Sequence, residues 1–423
     1  MHIIYDLIFM VFALIQLPVY LFKGKLKKSF LSRFGFLPRD LNLDRPIWIH
    51  AVSVGEAQAV KSLLDELRKV YREKKFVIST VTATGNMIVR GFAREGDFVT
   101  YLPFDLSFIV KRVVAKINPS LFIVAETEIW PNIISALNKK HIPIVLVNGR
   151  ISDASLRGYK AIKLLLKGTL NKINACCVQS ERDALRFKMI GVSEDKIRVT
   201  GNMKFDTASL NLEAKKQNKL RSGLGFGQED KFLVCGSTHA GEEEIILKEY
   251  KKLLGAFKNL KLLIAPRHPE RSREVAGLVL KYGFESAMVS ALPVQGAIHA
   301  NTVYILDTVG SLIDFYEVAD IVFVGGSLVD KGGHNILEPA SFSKPVIFGP
   351  YMFNFRDIAD LFISNNAAVM LRDASGLYGV ISKLLNDPDE ARQVGQKGRQ
   401  LISLNIGATL RNVEVVKLVM PGR

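Results

Sequence analysis

The sequence predicts an α/β protein of two tandem Rossmann-like, doubly wound domains behind an N-terminal membrane-anchor helix. Three observations carry this expectation. From residue 45 onward short β-branched runs alternate with longer segments of helical spacing, the texture breaks once near residues 201 to 230, and Ile3 to Phe22 form one apolar run. Continuously apolar strands are buried on both faces, which requires helices on each side of a mainly parallel sheet. At 423 residues the chain exceeds one ordinary core and suits two domains.

The apolar run IIYDLIFMVFALIQLPVYLF is interrupted only by Asp6, Gln16 and Pro18. As a helix it reaches about 30 Å, the thickness of a hydrocarbon layer. A cleaved signal peptide would carry its charges first and a cleavage site last, whereas here the basic stretch KGKLKK follows. The positive-inside rule then puts the bulk of the chain in the cytoplasm. Residues 1–24 are therefore expected to be a membrane anchor; an in-plane interfacial helix and an ordinary core helix are the other two readings. Phe30, Leu31, Phe34, Phe36 and Leu37, beside Arg33 and Arg39, either meet the membrane interface or pack on the first domain.

PIWIHAV, KFVISTVT, DFVTYLPF, SLFIVAETE, IPIVLVNG, NACCVQS and KIRVTGN are the strands expected for a first domain spanning 25–210. The polar, basic stretch NLEAKKQNKLRSGLGFGQEDK marks the boundary. FLVCGST, KLLIAPRH, TVYILDTVG, DIVFVGGS, KPVIFGP and AAVMLRD follow in a second domain, 211–423, whose last helices can cross back to the first. Two such domains are expected to leave a ligand cleft between the carboxyl ends of their sheets.

With 48% hydrophobic and 23% charged residues the chain is globular, not disordered. Its net charge of +16 favours anionic partners. No nucleic-acid-binding signature occurs, and the one dense basic run follows the apolar segment, so a membrane surface is expected as partner and nucleic acid is not. Cys176, Cys177 and Cys235 have neither CxxC nor metal-ligand spacing and read as reduced core residues. GLGFG at 223–227 precedes a strand instead of following one, the wrong context for a dinucleotide fingerprint. P-loop, nucleophile-elbow, HExxH and EF-hand motifs are missing, and no metal site is expected.

The strand ends hold the candidate chemistry. In GSTHAGEEE, Ser237 and Thr238 either cap a helix or join its free amides in a phosphate site. In APRHPER, Pro266 stiffens the strand exit and Arg267 suits a phosphate; His268 beside it is a phosphate ligand or a neutral structural group. In GGSLVDKGGHNILEPA, Asn335 and first-turn amides can bond a ligand, and Glu338 can grip vicinal ribose hydroxyls, although a glutamate early in a helix is also ordinary capping chemistry. In HAVSVGEAQA, Gly55 permits a tight turn and Glu56 stands at a helix start, either as a cap or as a base presented to the cleft. The helix dipole there is expected to keep the carboxylate ionised.

SVGE (53–56), ETEIWP (126–131), NGRISD (148–153), GNMKFD (201–206), GSTH (236–239), APRHPER (265–271), DTVGSL (307–312) and GGHNILEP (332–339), in this order over nearly the whole chain, resemble the bacterial 3-deoxy-D-manno-octulosonic acid (Kdo) transferases. The resemblance implies the GT-B fold, an inner-membrane location with catalytic domains on the cytoplasmic side, and a reaction. Kdo would pass with inversion from CMP-β-Kdo to the 6'-hydroxyl of a tetraacylated lipid A precursor, in lipopolysaccharide biosynthesis, with no cofactor. It implies Glu56 as general base, and Pro266, Arg267, Val309, Gly310, Ser311, Asn335, Ile336, Leu337 and Glu338 as CMP-binding. Val309-Gly310-Ser311 stands where many relatives carry Met-Gly-Glu, which leaves a backbone role intact and weighs against a side-chain one. Glu126 and Glu128, with Arg150 and Lys204 as an acceptor site, either position the acceptor or assist electrostatically; a cap or a salt bridge to Arg150 or Lys204 is the other reading. Another GT-B enzyme, such as a UDP-sugar transferase or 2-epimerase, and a non-catalytic membrane-associated nucleotide-binding protein are the competing readings.

Overall fold

The fold is that of a computed structural model, which describes residues 5–7, 9–11, 29–209, 220–221, 223–291 and 301–420. The chain divides into two units, 1–207 with 405–423, and 208–404.

In the first unit β1 (Ile47–His50), β2 (Phe76–Thr80), β3 (Phe98–Tyr101), β4 (Leu121–Ala125), β5 (Ile144–Gly149), β6 (Ala175–Val178) and β7 (Ile197–Val199) form one sheet in the order 3-2-1-4-5-6-7. Every neighbouring pair is parallel. The central strands IWIH, LFIVA and IVLVNG are buried throughout, as their unbroken apolar runs require. The order reverses between β1 and β4, so their carboxyl ends frame the switch point at which such sheets bind ligands.

Helices α1 (Val54–Val70), α2 (Ala83–Phe92), α3 (Ser107–Ile117), α4 (Pro131–Lys139), α5 (Asp153–Ala161), α6 (Lys163–Leu170) and α7 (Glu181–Ile190) follow strands β1 to β6 in turn, two of them after β5. One face of the sheet packs Trp48, Phe122 and Val124 with Val110, Ile133 and Leu137. The other packs Ile49, Ile123 and Val147 with Leu63, Leu64, Val413 and Val416. α4 lacks a side-chain cap at Trp130; its first amides are met by the fully buried Asp105, whose carboxylate accepts from Asn132 N at 3.0 Å and Ile133 N at 2.9 Å. Burial pushes this carboxyl up to about 6 in spite of those bonds.

Most of the expected anchor, 1–24, lies outside the described residues, and no helix among the described residues is long and apolar enough to cross a membrane. The described part of that segment sits on the first unit. Asp6 Oδ1 accepts from Ser107 N at 3.1 Å and Asn132 Nδ2 at 2.7 Å, and Phe9 lies 6.4 Å from Phe104. Of the apolar residues after it, Phe34 and Leu37 pack on the core while Leu31 and Phe36 are exposed; the Phe30 side chain lies outside the described residues.

In the second unit β8 (Lys231–Thr238), β9 (Leu260–Pro266), β10 (Glu285–Met288), β11 (Thr302–Ile305), β12 (Ile321–Val324), β13 (Val346–Phe348) and β14 (Val369–Met370) run parallel in the order 10-11-9-8-12-13-14. The switch point lies between β8 and β12. Helices α8 (Glu242–Ala256), α9 (Ser272–Lys281), α10 (Leu312–Val318), α11 (Leu337–Ser341), α12 (Arg356–Ser364), α13 (Leu377–Asn386) and α14 (Pro388–Asn405) complete it, and α15 (Ala408–Val419) belongs to the first unit. There Asp206 accepts from Gly407 N and Thr409 N, both at 2.5 Å, and Arg411 Nε donates to Thr200 O at 2.7 Å. Among the described residues β10 is the one strand that the apolar runs do not predict. ESAM is polar and half-exposed because it is an edge strand, where burial on both faces is not required. The three cysteines are free and buried, and burial pushes the Cys176 thiol up to about 12.

Candidate active site

In the first unit the turn after β1 places Glu56 in the first turn of α1. Its Oε2 accepts from Val52 N at 2.7 Å and its Oε1 from the Ser53 hydroxyl at 3.0 Å. The carboxylate therefore bonds back to the two residues that precede its helix and caps none of the helix's own first amides, and each oxygen keeps a lone pair for a ligand proton. Glu56 is 8% exposed. The helix start does not keep it firmly ionised: burial first, then the neighbouring Glu126 and Glu128, outweigh the Val52 and Ser53 bonds and raise its pKa to about 7.

The second and third carboxylates come from the end of β4. Glu126 has a left-handed backbone, φ 56°, and receives Lys204 Nζ at 3.2 Å and Arg150 Nε at 3.4 Å. Burial pushes its pKa up, but Lys204 and Arg150 prevail and hold it below the ordinary range. Of the two readings of these residues, the salt bridge is thus present. Glu128 has no such counterion among the described residues: burial and then Glu126 raise it to about 7.

Asn148, at φ 55° near the end of β5, accepts Met203 N on its Oδ1 at 3.0 Å. This bond holds the GNMKFD segment so that the next residue, Lys204, reaches Glu126. Thr127 and Arg150 exchange bonds between the β4 and β5 exits. Glu56, Glu126, Glu128, Arg150 and Lys204 are brought together by elements separated by up to 148 residues.

In the second unit the expected anion site at the start of α8 is filled from within. Glu242, fully buried, accepts from His239 N at 2.9 Å, Gly326 N at 2.7 Å, Ser327 N at 3.0 Å and Leu328 N at 2.9 Å. Gly325 is needed for this approach, since a Cβ there would come 2.6 Å from Ser237 O. The Thr238 hydroxyl is buried and donates to Glu243 at 2.9 Å, so it is not available to a phosphate. Ser237, at φ 57°, remains partly exposed.

Arg267 and His268 are exposed just beyond β9, with Arg267 N donating to Thr238 O at 2.9 Å, and Pro266 is buried behind them. His239 and His334 stack with parallel rings 5.2 Å apart and share an Nε2 to Nε2 contact of 2.9 Å. Burial, with the nearby Arg267, lowers His334 to about 3, and burial with His268 lowers His239 to about 4, so both rings are neutral and one donates to the other. His268 closes the group, its ring 6.0 Å from His239. Sequence reasoning assigned His239 and His334 no role, although the GSTH and GGHN spellings contain them.

Asn335 caps α11, accepting Leu337 N at 3.1 Å and donating to Glu338 Oε1 at 3.1 Å. Ile336 and Leu337 are fully buried, which leaves only their backbone for a ligand. Burial raises the Glu338 carboxyl, against Asn335 and Arg267. Val309 is 78% exposed, Gly310 adopts φ 96°, and Ser311 lies within 3.3 Å of Thr308. The residues at the β8/β12 switch point thus present an exposed guanidinium, neutral imidazoles and a carboxyl in one unit. A separate cavity of about 360 Å³, lined by Tyr351, Phe353, Arg356 and Met370 among others, contains none of them. No group of three or more metal-binding side chains occurs among the described residues.

Residues 28–207 match the family described as 3-Deoxy-D-manno-octulosonic-acid transferase (kdotransferase). The 3-deoxy-D-manno-octulosonic acid transferase of Haemophilus influenzae is 36% identical over 88% of this chain and 86% of its own. That of Chlamydophila psittaci is 34% identical over 98% of this chain and 95% of its own. A glycosyltransferase structure from Rickettsia africae superposes with a TM-score of 0.60, covering 90% of this chain and all of that one, at 16% identity, and so shares the fold alone.

Proposed function

Because the chain belongs to the 3-deoxy-D-manno-octulosonic acid transferase family of glycosyltransferases, we propose that it moves Kdo from CMP-β-Kdo to the 6'-hydroxyl of a tetraacylated lipid A precursor with inversion, releasing CMP. The observation that carries this reading is the Glu56 carboxyl at the β1/β4 switch point, buried beside Glu126 and Glu128 with its pKa near 7.

A sugar hydroxyl is a weak nucleophile at neutral pH and needs a base whose pKa lies near the operating pH. Glu56 fits that requirement. As the acceptor oxygen bonds to the anomeric carbon, the bond from that carbon to the CMP phosphate oxygen breaks, and the hydroxyl proton passes to Glu56. Glu126, kept ionised by Lys204 and Arg150, maintains the field that makes Glu56 a strong enough base. Glu128, half protonated near neutrality, can donate to or accept from an acceptor hydroxyl.

In the second unit Arg267 takes the CMP phosphate, the amides of 335–338 and 309–311 take the nucleotide, and Glu338 grips ribose hydroxyls. Ser237 and His268 flank the phosphate. The negative charge appearing on departing CMP is met by the guanidinium, so the residues named here supply the stabilisation themselves.

Mass spectrometry of products from the purified chain, CMP-Kdo and the lipid A precursor tests the reading: the lipid should gain Kdo with release of one CMP per sugar. Glu56→Gln should lose turnover by about 100- to 10,000-fold while still binding CMP-Kdo. If the lipid gains no sugar with folded, CMP-Kdo-binding wild-type protein, or if Glu56→Gln turns over normally, the assignment fails.

A further inference from the structure

Two loops meet at Val52. One is the β1 exit, where Val52 N holds Glu56 Oε2 at 2.7 Å and Ser53, the next residue, holds Oε1. The other is the β2 exit, Val81 and Thr82, which leads into α2. The β1–β2 pairing ends at His50 and Ser79, yet the two chains stay bonded past it. Val52 O accepts from Val81 N at 3.3 Å, from Thr82 N at 3.2 Å and from the Thr82 hydroxyl at 3.2 Å. One carbonyl with two lone pairs thus takes three donors from two adjacent residues. Val52 carries Glu56 on its amide and the β2 exit on its carbonyl.

The Thr82 hydroxyl does more than its place requires. As the cap of α2 it need only accept Gly85 N, at 3.1 Å. Its single proton remains for a second bond, and that bond crosses to Val52 O. Gly85 leaves room for the crossing, since a Cβ there would come 2.8 Å from Thr82 Oγ1 and 3.4 Å from Ser53 C. The β2 exit is itself tied down at several points. Arg33 donates to Val81 O while its guanidinium lies over the Tyr101 ring, and the buried Asn86 donates to Thr80 Oγ1 at 3.3 Å and to Thr100 O at 3.1 Å. A carboxyl that hangs on one loop is placed only as well as that loop is held.

We propose that Thr82 is a positioning residue for Glu56: its hydroxyl locks Val52, and the Val52 N–H fixes where the carboxylate points. Thr82 acts through Val52 and not on the substrate, and its effect on turnover rests on the reading of Glu56 as the base given above. The bond from Val52 N favours the ionised carboxylate. Loosening it should therefore raise the Glu56 pKa as well as spread the carboxylate over more orientations.

The test reads the carboxyl directly and then through catalysis. In the full chain with isotope-labelled glutamate side-chain carboxyls, the Glu56 resonance is the one missing from Glu56→Gln, and its pH titration needs no turnover. Thr82→Val, which keeps the shape and removes the donor, should move that titration up by about 0.5 pH unit, and Thr82→Ser, which keeps the hydroxyl, should return it to wild type. Thr82→Val also loses the α2 cap, which lowers stability but by itself leaves the Glu56 titration where it is. In sugar transfer the same variant should lose about 10- to 100-fold in kcat with the KM for CMP-Kdo unchanged, and its acid limb should rise with the titration. A Glu56 titration that stays at its wild-type position in Thr82→Val, or that Thr82→Ser fails to restore, overturns the proposal. If Thr82→Val does not fold, Thr82→Ala decides by the same titration. A titration that moves while the pH dependence of turnover does not keeps the positioning and removes Glu56 as the base; turnover that falls with the titration unmoved removes the positioning and leaves the base.

Discussion

Glu126 makes Glu56 a stronger base: its negative charge, held by Lys204 and Arg150, is second only to burial in lifting the Glu56 pKa to about 7. Neutralising that charge should relax Glu56 toward its ordinary value. In Glu126→Gln the acid limb of the pH dependence of kcat/KM should move down by about 0.5 to 1 pH unit, whatever happens to the maximal rate. A limb that stays in place would mean that Glu56 is not the titrating base or does not feel Glu126.

The Ser53 hydroxyl acts in the opposite direction, since its bond to Glu56 Oε1 favours the ionised form. Ser53→Ala should therefore shift the same limb upward, by about 0.5 pH unit. Because the base must be deprotonated to act, this variant should lose rate most at pH 6 and be close to wild type at pH 9. The paired, opposite displacements of Ser53→Ala and Glu126→Gln are hard to produce by a general loss of structure, and a pH series on both variants checks them together.

Glu128 carries the same raised pKa without a counterion among the described residues, so it should also tax stability. A carboxyl whose folded pKa exceeds its unfolded value contributes stability that is complete below about pH 4.5 and is lost as pH rises through about 7. Glu128→Gln, which keeps the shape and removes the charge, should raise stability by about 1 to 3 kcal/mol at pH 8 and by nearly nothing at pH 4.5. Denaturant unfolding at the two pH values reads this directly. An equal effect at both would place the cause in packing, not in the buried charge.

What the sequence made legible and what it hid follow from the range of the interactions. The parallel strands were readable because burial on both faces leaves unbroken Val, Ile and Leu runs, as in IVLVNG and LFIVA; β10 was hidden because an edge strand has no such requirement. Glu56 was readable as a helix-start carboxylate, but its pKa was not, since Glu126 lies 70 residues away and adds a charge that no local pattern reports. Thr238 looked free because its partner Glu243 resembled an ordinary first-turn acid. His239 and His334, 95 residues apart, became a pair only when β8 and β12 were neighbours.

Glu242 shows the same limit and supplies the strongest stability expectation. In the sequence it is one of three consecutive glutamates at a helix start, which suggests dipole chemistry and nothing more. In the fold it is fully buried and is the common acceptor of four backbone N–H groups, three of them from the glycine-rich turn after β12. Burial raises its pKa, and those four bonds oppose the shift. Glu242→Gln keeps the shape but turns one acceptor oxygen into a donor, which faces either the Gly326 and His239 amides or the Ser327 and Leu328 amides. Two buried donors are then left unmet, at about 1 to 3 kcal/mol each, so the second unit should lose about 2 to 6 kcal/mol. Hydrogen exchange should report this as early opening of residues 325–328, while the first unit exchanges as in the wild type. Unchanged protection at Gly326, Ser327 and Leu328 in Glu242→Gln would mean that water, and not this carboxylate, satisfies the turn.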